Sequence, residues 1–248
     1  MAHLRYVKRI SEILTVFFEE GFDIFIKNAY LHQHVPLSKR WGLKKKEGSP
    51  KRLRIALERL GPTFVKLGQT LSLRPDVLPF EYIQELEKMQ DDVEPVPYSK
   101  VRQVIKEEFG KDVNHIFSSF GKKPTASASL AQVHKAKLKT GEIVAVKVQR
   151  PGITKIMRED IEILRFIAHW VDRRKSLGIH LTPIIDEFKR WTLREINFHY
   201  EAANLKLVRS NFKGSDVIIP KVYDDYSSER VLTLQYIDGI PIHDVNKL

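Results

Sequence analysis

The chain has 248 residues, 42% of them hydrophobic and 10% aromatic, with a formal net charge of +11 and no cysteine. That length and apolar content suffice to bury a core and exclude global disorder. The lack of cysteine excludes disulfides, thiolate zinc sites and thiol catalysis, and fits a reducing, cytoplasmic compartment.

In chain order, residues 1–34 read as helix. The stretch "ISEILTVFFEEGFDIFIKNAY" is apolar but interrupted by Glu12, Glu19, Glu20 and Asp23, so it predicts an amphipathic helix and not a membrane span. No apolar run anywhere reaches the roughly 18 residues a span needs. Packing against its own domain is the favoured use of this helix; lying peripherally on a membrane surface is the alternative. "VPLSKRWGLKKKEGSP" follows as a basic linker, carrying Lys39-Arg40 and Lys44-Lys45-Lys46. Such clusters favour anionic partners: nucleic acid, acidic lipid headgroups or nucleotide phosphates. A solvated helical face would give the same charge count.

Helical pattern resumes at Pro50, stops at the Leu60-Gly61-Pro62 break and continues from Pro62 to Leu71. "FEYIQELEKMQ" and "YSKVRQVIKEEF" are helical by period, separated by the "EPVP" break. After Gly110 the texture changes. "ASLAQVHKAKL" and "EIVAVKVQ" alternate as strands around the Lys139-Thr140-Gly141 turn. Residues 153–174 and 181–212 read as two long helices, and "DVIIPKVYDDYSSERVLTLQYIDG" as short strands. These elements predict an α+β class in three segments: a helical segment and linker over 1–48, a helical extension over 49–110 and a lobe over 111–248.

In "EIVAVKVQ", Val144, Val146 and Val148 share one face, and Ala145, Lys147 and Gln149 share the other. A lysine on a half-buried sheet needs an anion or a carboxylate to receive it. Glu195 and Glu201 are the candidates in the downstream helix. Six helical steps of about 100° put them on different faces, so at most one reaches Lys147, and Glu201 is the choice. The bland readings are an edge-strand lysine and solvated glutamates. His134 and His169 have no metal-like spacing and read as ordinary strand and helix residues, and no metal ligands are assigned.

Several motifs now stand in one register. "LGPTFVKLGQTLSLRPDVLPFEYIQELEKMQDDVEPVP" contains Lys66-Leu67-Gly68-Gln69; an alanine-rich loop follows at Ala126-Ser127-Ala128-Ser129; "VAVKVQRPGI" carries Lys147; and "REINFHYEAANL" carries Glu195 and Glu201. From about residue 50 to 248 the chain resembles the UbiB family of atypical protein-kinase-like proteins, tied to ubiquinone and isoprenoid-lipid metabolism. The resemblance implies a kinase-like N-lobe (a small antiparallel sheet plus helices) preceded by a helical K-x-G-Q extension. It implies an adenine-nucleotide site, for ADP or ATP with Mg²⁺, in which Lys147 meets phosphate and Glu201 orients it. Ala126, Ser127, Ala128 and Ser129 would replace the glycine-rich loop of kinases and favour ADP. Lys66 and Gln69, facing Glu195 and Asn197, would gate the pocket.

Two departures qualify the resemblance. The family's E-x-D reads Glu195-Ile196-Asn197, so the second acid is an uncharged amide. The family's HADPHPGN catalytic loop and metal-binding aspartate are also not found. His243-Asp244 lacks the Pro-His-Pro-Gly-Asn continuation, so no catalytic residue is assigned in this chain. The expected function is therefore the N-terminal portion of a UbiB-type kinase or ATPase, not catalytic alone, with Mg²⁺ ligands and a C-lobe supplied elsewhere, from a continuation or a separate chain. The alternative is a non-catalytic pseudokinase module that binds a partner, such as isoprenoid-lipid enzymes or an anionic membrane. Nucleic acid ranks low, because no recognition motif accompanies the charge.

Overall fold

The structure, a computed structural model, describes residues 2–22, 26, 31, 35–36, 49–89, 93–174 and 180–240. The basic linker over 37–48 and His243-Asp244 lie outside the described residues. In chain order the helices are α1 (Ala2–Glu19), α2 (Pro50–Leu60), α3 (Pro62–Leu71), α4 (Phe80–Leu86), α5 (Tyr98–Phe109) and α6 (Val113–Ile116). Strands β1 (Phe117–Phe120), β2 (Ala126–Ser127), β3 (Ala131–Leu138) and β4 (Ile143–Gln149) follow. After them come α7 (Ile153–Arg173), α8 (Leu181–Glu195), α9 (Phe198–Asn211) and β5 (Val231–Gln235). The chain forms two compact units: Met1–Asp91 with Gly152–Leu193, and Asp92–Pro151 with Arg194–Leu248.

The first unit is helical. Ser49 caps α2 by accepting from the Arg52 amide, and Pro50 occupies the first turn, where its missing N–H costs nothing. Gly61 ends α2 at φ 95°, a conformation other residues avoid, and Pro62 restarts the chain as α3. The apolar face of α1 (Ile10, Ile13, Leu14, Val16) joins Ala56, Leu57, Leu60, Phe64, Leu86, Ile163 and Val171 in one core. The amphipathic face read from the sequence is thus used in packing. Asp160, 2% exposed, is held by Arg9 through Nε at 2.8 Å and Nη2 at 3.0 Å, while Arg9 Nη2 also donates to Leu60 O at 2.7 Å. A buried carboxylate without that partner would be strongly destabilising.

The second unit is built on an antiparallel sheet in the order β1-β3-β4-β5, with β2 pairing the start of β3. Val144, Val146 and Val148 are fully buried and pack with Val101, Val104 and Ile105 of α5, the valine face expected from alternation. Arg230, beside β5, holds Glu108 of α5 through Nε at 2.6 Å. Burial alone would raise the Glu108 pKa, but hydrogen bonds from Ser228 and Arg230 outweigh it and lower the value.

The class is α+β with a helical N-terminal part, as expected. The elements differ in detail. The pattern over 181–212 is not one helix: it breaks at Ile196-Asn197, where Asn197 adopts an extended backbone (φ −114°, ψ 104°) and its Oδ1 accepts from the His199 amide. Asparagine's side chain competes with the helical backbone in this way and favours a cap. Within 216–239 only Val231–Gln235 is a strand, joined by a single bridge of Val222 to Leu234 and a 3₁₀ turn at Asp224–Tyr226. "FSSF", which has little alternation, is β1 because β3 offers it an edge.

Candidate functional site

The site grows from the polar face of β4. Lys147 sits in the middle of that strand, opposite Val133 on one side and Leu232 on the other. Its Nζ donates to both carboxylate oxygens of Glu201, at 3.0 and 2.8 Å, and lies 5.0 Å from the centre of the Phe198 ring. Both side chains remain about a third exposed (32% and 34%), so the pair is open to an anionic competitor.

The local sequence explains why Glu201 reaches. Phe198 and Ala202, one turn apart on α9, pack with Ala131, Val222 and Leu232, with Leu205 against the same cluster. Glu201 borders that stripe and is carried to the sheet with it. The start of α9 is fixed by two further contacts. Phe198 N donates to Glu229 O at 3.0 Å, and buried Gln149, on the lysine face of β4, donates through Nε2 to Ile196 O. So β4 positions both the lysine and the helix that brings its carboxylate. Glu195 ends α8 as an exposed residue, two positions before Asn197. Glu201 is the carboxylate that meets Lys147.

The Ala/Ser stretch forms a hairpin at the end of the same sheet. Ala126 and Ser127 pair with Val133 and Gln132, and the Ala128 amide closes the turn on Ala131 O at 2.8 Å. Ser129 is buried at 5% exposure. Lys66 and Gln69 are half-buried on α3 of the first unit, whereas Glu195 and Asn197 belong to the second.

Two features escaped sequence reasoning. Arg150, directly after β4, turns its guanidinium onto the Ala/Ser hairpin and onto residues 93–94. Nothing in "VQRPG" separates it from a solvated turn arginine. Gln132 and His134, both at most 1% exposed, form a hydrogen-bonded chain beneath the same hairpin. Polar residues at alternate positions, on the strand face they share with Ala136 and Leu138, are a faint signal of such a network.

A phosphate is compatible with this donor set, because a lysine ammonium and a serine hydroxyl both donate and the lysine's present acceptor is exchangeable. Among the described residues no group of three or more His, Cys, Asp or Glu could hold a metal, so Mg²⁺ is assigned no ligand here. No helix of the described residues is long and apolar enough to cross a membrane.

The ABC1 atypical kinase-like domain matches residues 88–248. A protein described as probable protein kinase UbiB, from Cellvibrio japonicus, is 41% identical over 200 residues, covering 79% of this chain and 36% of its own. A protein of the same description from Aeromonas salmonicida is 37% identical and covers 97% of this chain and 46% of its own. The chain thus spans less than half the length of these relatives. Among solved structures it resembles Rv3197 of Mycobacterium tuberculosis, solved in complex with erythromycin, at 29% identity and a TM-score of 0.56, covering 77% of this chain and 49% of that one.

Proposed function

The chain belongs to the UbiB family of ABC1 atypical kinase-like proteins, and on that premise we propose that it binds an adenine nucleotide as the N-terminal portion of a UbiB-type kinase or ATPase. The observation that carries this reading is the Lys147–Glu201 pair on the open face of β4. In kinase-like folds this lysine contacts α- and β-phosphates while a helix glutamate holds it in place.

In this reading the Lys147 ammonium exchanges part of its contact with Glu201 for a phosphate oxygen, and Glu201 keeps the side chain aimed at the sheet's open face. The Phe198 ring beneath Nζ limits how far the side chain swings away. The nucleotide supplies the transferable or hydrolysable phosphoryl group, and Mg²⁺ its charge neutralisation. The residues described here bind and orient. The role served is ubiquinone or other isoprenoid-lipid metabolism, from the family to which the chain belongs.

The test is titration of ADP and of ATP, each with Mg²⁺, into the 248-residue chain and its Lys147→Ala variant by calorimetry. Binding to the parent and none to the variant, with unchanged circular dichroism and melting, is the expected result. Equal binding by both would move the site elsewhere. An allele carrying Lys147→Ala in the complete gene should also lower cellular quinone content.

A further inference from the structure

The sheet's open end holds an arginine that the nucleotide reading does not use. Arg150 Nε donates to Ala128 O at 2.8 Å, and its Nη2 reaches Ser127 Oγ at 2.9 Å, Glu94 O at 2.8 Å and Val93 O at 3.1 Å. Its backbone amide donates to Leu130 O at 2.9 Å. One residue therefore meets Ser127, Ala128 and Leu130 of the Ala/Ser hairpin and two carbonyls of a segment more than fifty positions away. A surface arginine would seek water or a carboxylate. This one faces neutral oxygens, and burial depresses its pKa.

The segment it grips is itself stiff. Pro95 restricts Glu94 to extended backbone, and Pro97 follows two residues later. Val96 N donates to Oε1 of buried Gln132 at 2.9 Å, and Val93 N donates to Ser127 O at 3.3 Å. Residues 93–96 are thus pinned to β3 by one strut and to the hairpin by another. A loop tied to such a segment has lost the freedom that a glycine-rich loop keeps.

The hairpin's own polar groups fit this picture. The Ala128 amide is committed to Ala131 O and its carbonyl to Arg150, so Ala128 has no backbone group left for phosphate. Ser127 Oγ accepts from Arg150, which leaves its hydroxyl proton to be donated outward.

We infer that Arg150 is the positioning residue of the Ala/Ser loop: its guanidinium locks Ser127 and Ala128 onto the Val93–Glu94 segment and presents the Ser127 hydroxyl to a nucleotide phosphate. The locking stands on geometry alone; the phosphate clause rests on the nucleotide reading. Lysine cannot substitute, because a single ammonium on a flexible stem does not span acceptors that a planar fork reaches together.

The test compares the chain with its Arg150→Lys variant in two measurements. In the first, amide hydrogen exchange is followed without nucleotide. Exchange over residues 126–130 should accelerate about tenfold, the worth of one to two lost hydrogen bonds, while β3 and β4 amides stay as protected as before. In the second, the ADP dissociation constant should rise by about the same factor, with the melting temperature little changed. Ser127→Ala, which removes one acceptor and leaves the guanidinium in place, should give a smaller acceleration at the same amides and guards against a variant that fails to fold.

Unchanged exchange in both variants overturns the locking role. Faster exchange with unaltered ADP affinity overturns the role toward phosphate. If the parent chain binds no ADP yet exchange still accelerates, the locking role stands and the nucleotide reading fails.

Discussion

The Nε2 atoms of Gln132 and His134 lie 2.8 Å apart inside the second unit, and His134 Nδ1 lies 2.7 Å from Gly121 O. Gln132 Oε1 already accepts from the Val96 amide, so its nitrogen must donate to His134 Nε2. His134 is then a neutral imidazole with its proton on Nδ1, donated to Gly121. A second proton would set two donors face to face.

Burial depresses the His134 pKa, and the bond to Gly121 only partly counters it. A histidine kept neutral in the folded state costs nothing above its unfolded pKa of about 6.5. Below that value the unfolded chain binds a proton that the folded chain does not, so stability falls as pH drops toward the depressed value. Denaturant midpoints measured from about pH 8 to about pH 5 should decline for the parent. His134→Gln should remove that part of the slope, and identical slopes would contradict the buried neutral state.

Gly68 of the Lys66–Gln69 motif is a packing glycine within its own unit. A Cβ there would stand 2.4 Å from Met89 Sδ and 3.0 Å from Leu57 Cδ1. Gly68→Ala gains about 1 kcal/mol in helix propensity but overpacks at a cost of roughly 1–3 kcal/mol. Chemical denaturation should show a net loss of up to about 2 kcal/mol. In a Met89→Ala background the same change should become neutral or stabilising, and an undiminished cost there would refute the clash.

Asn197 caps α9 through its side chain, with Oδ1 3.0 Å from the His199 amide. Asn197→Ala should lower stability by about 1 kcal/mol. Asn197→Asp should keep the cap and add a few tenths of a kcal/mol through the helix dipole, an increment that shrinks in high salt. A destabilised aspartate variant at neutral pH would show that something other than capping selects the amide.

Ala128→Gly restores backbone freedom at the turn that Arg150 and Ala131 now hold. The ratio of ATP to ADP affinity should rise, with a stability loss of about 0.5–1 kcal/mol. Competition binding with both nucleotides checks it; an unchanged ratio would detach nucleotide choice from this residue.

Period and spacing alone were enough to make the valine face of β4, the placement of Lys147 on the opposite face and the succession of helices legible, because alternation and the 3.6-residue repeat are local properties. The same arithmetic limited Lys147 to one of two glutamates. The family register was legible too, since the Ala/Ser stretch, the lysine strand and the Glu195–Glu201 segment occur in order.

Only the tertiary structure decided the rest. Local pattern runs unbroken from residue 181 to 212, yet the Asn197 side chain competes for the backbone and Gln149 takes the Ile196 carbonyl, so the helix divides there. That division turns Phe198 inward and carries Glu201 to Lys147. Arg150 gives no local sign of its partners, because all its guanidinium acceptors except Ser127 Oγ are backbone carbonyls, of residues 93, 94 and 128, and a carbonyl is the same at every position in a sequence. Composition and period show which side chains must be buried; which distant carbonyl a half-buried cation will meet is settled only when the chain is folded.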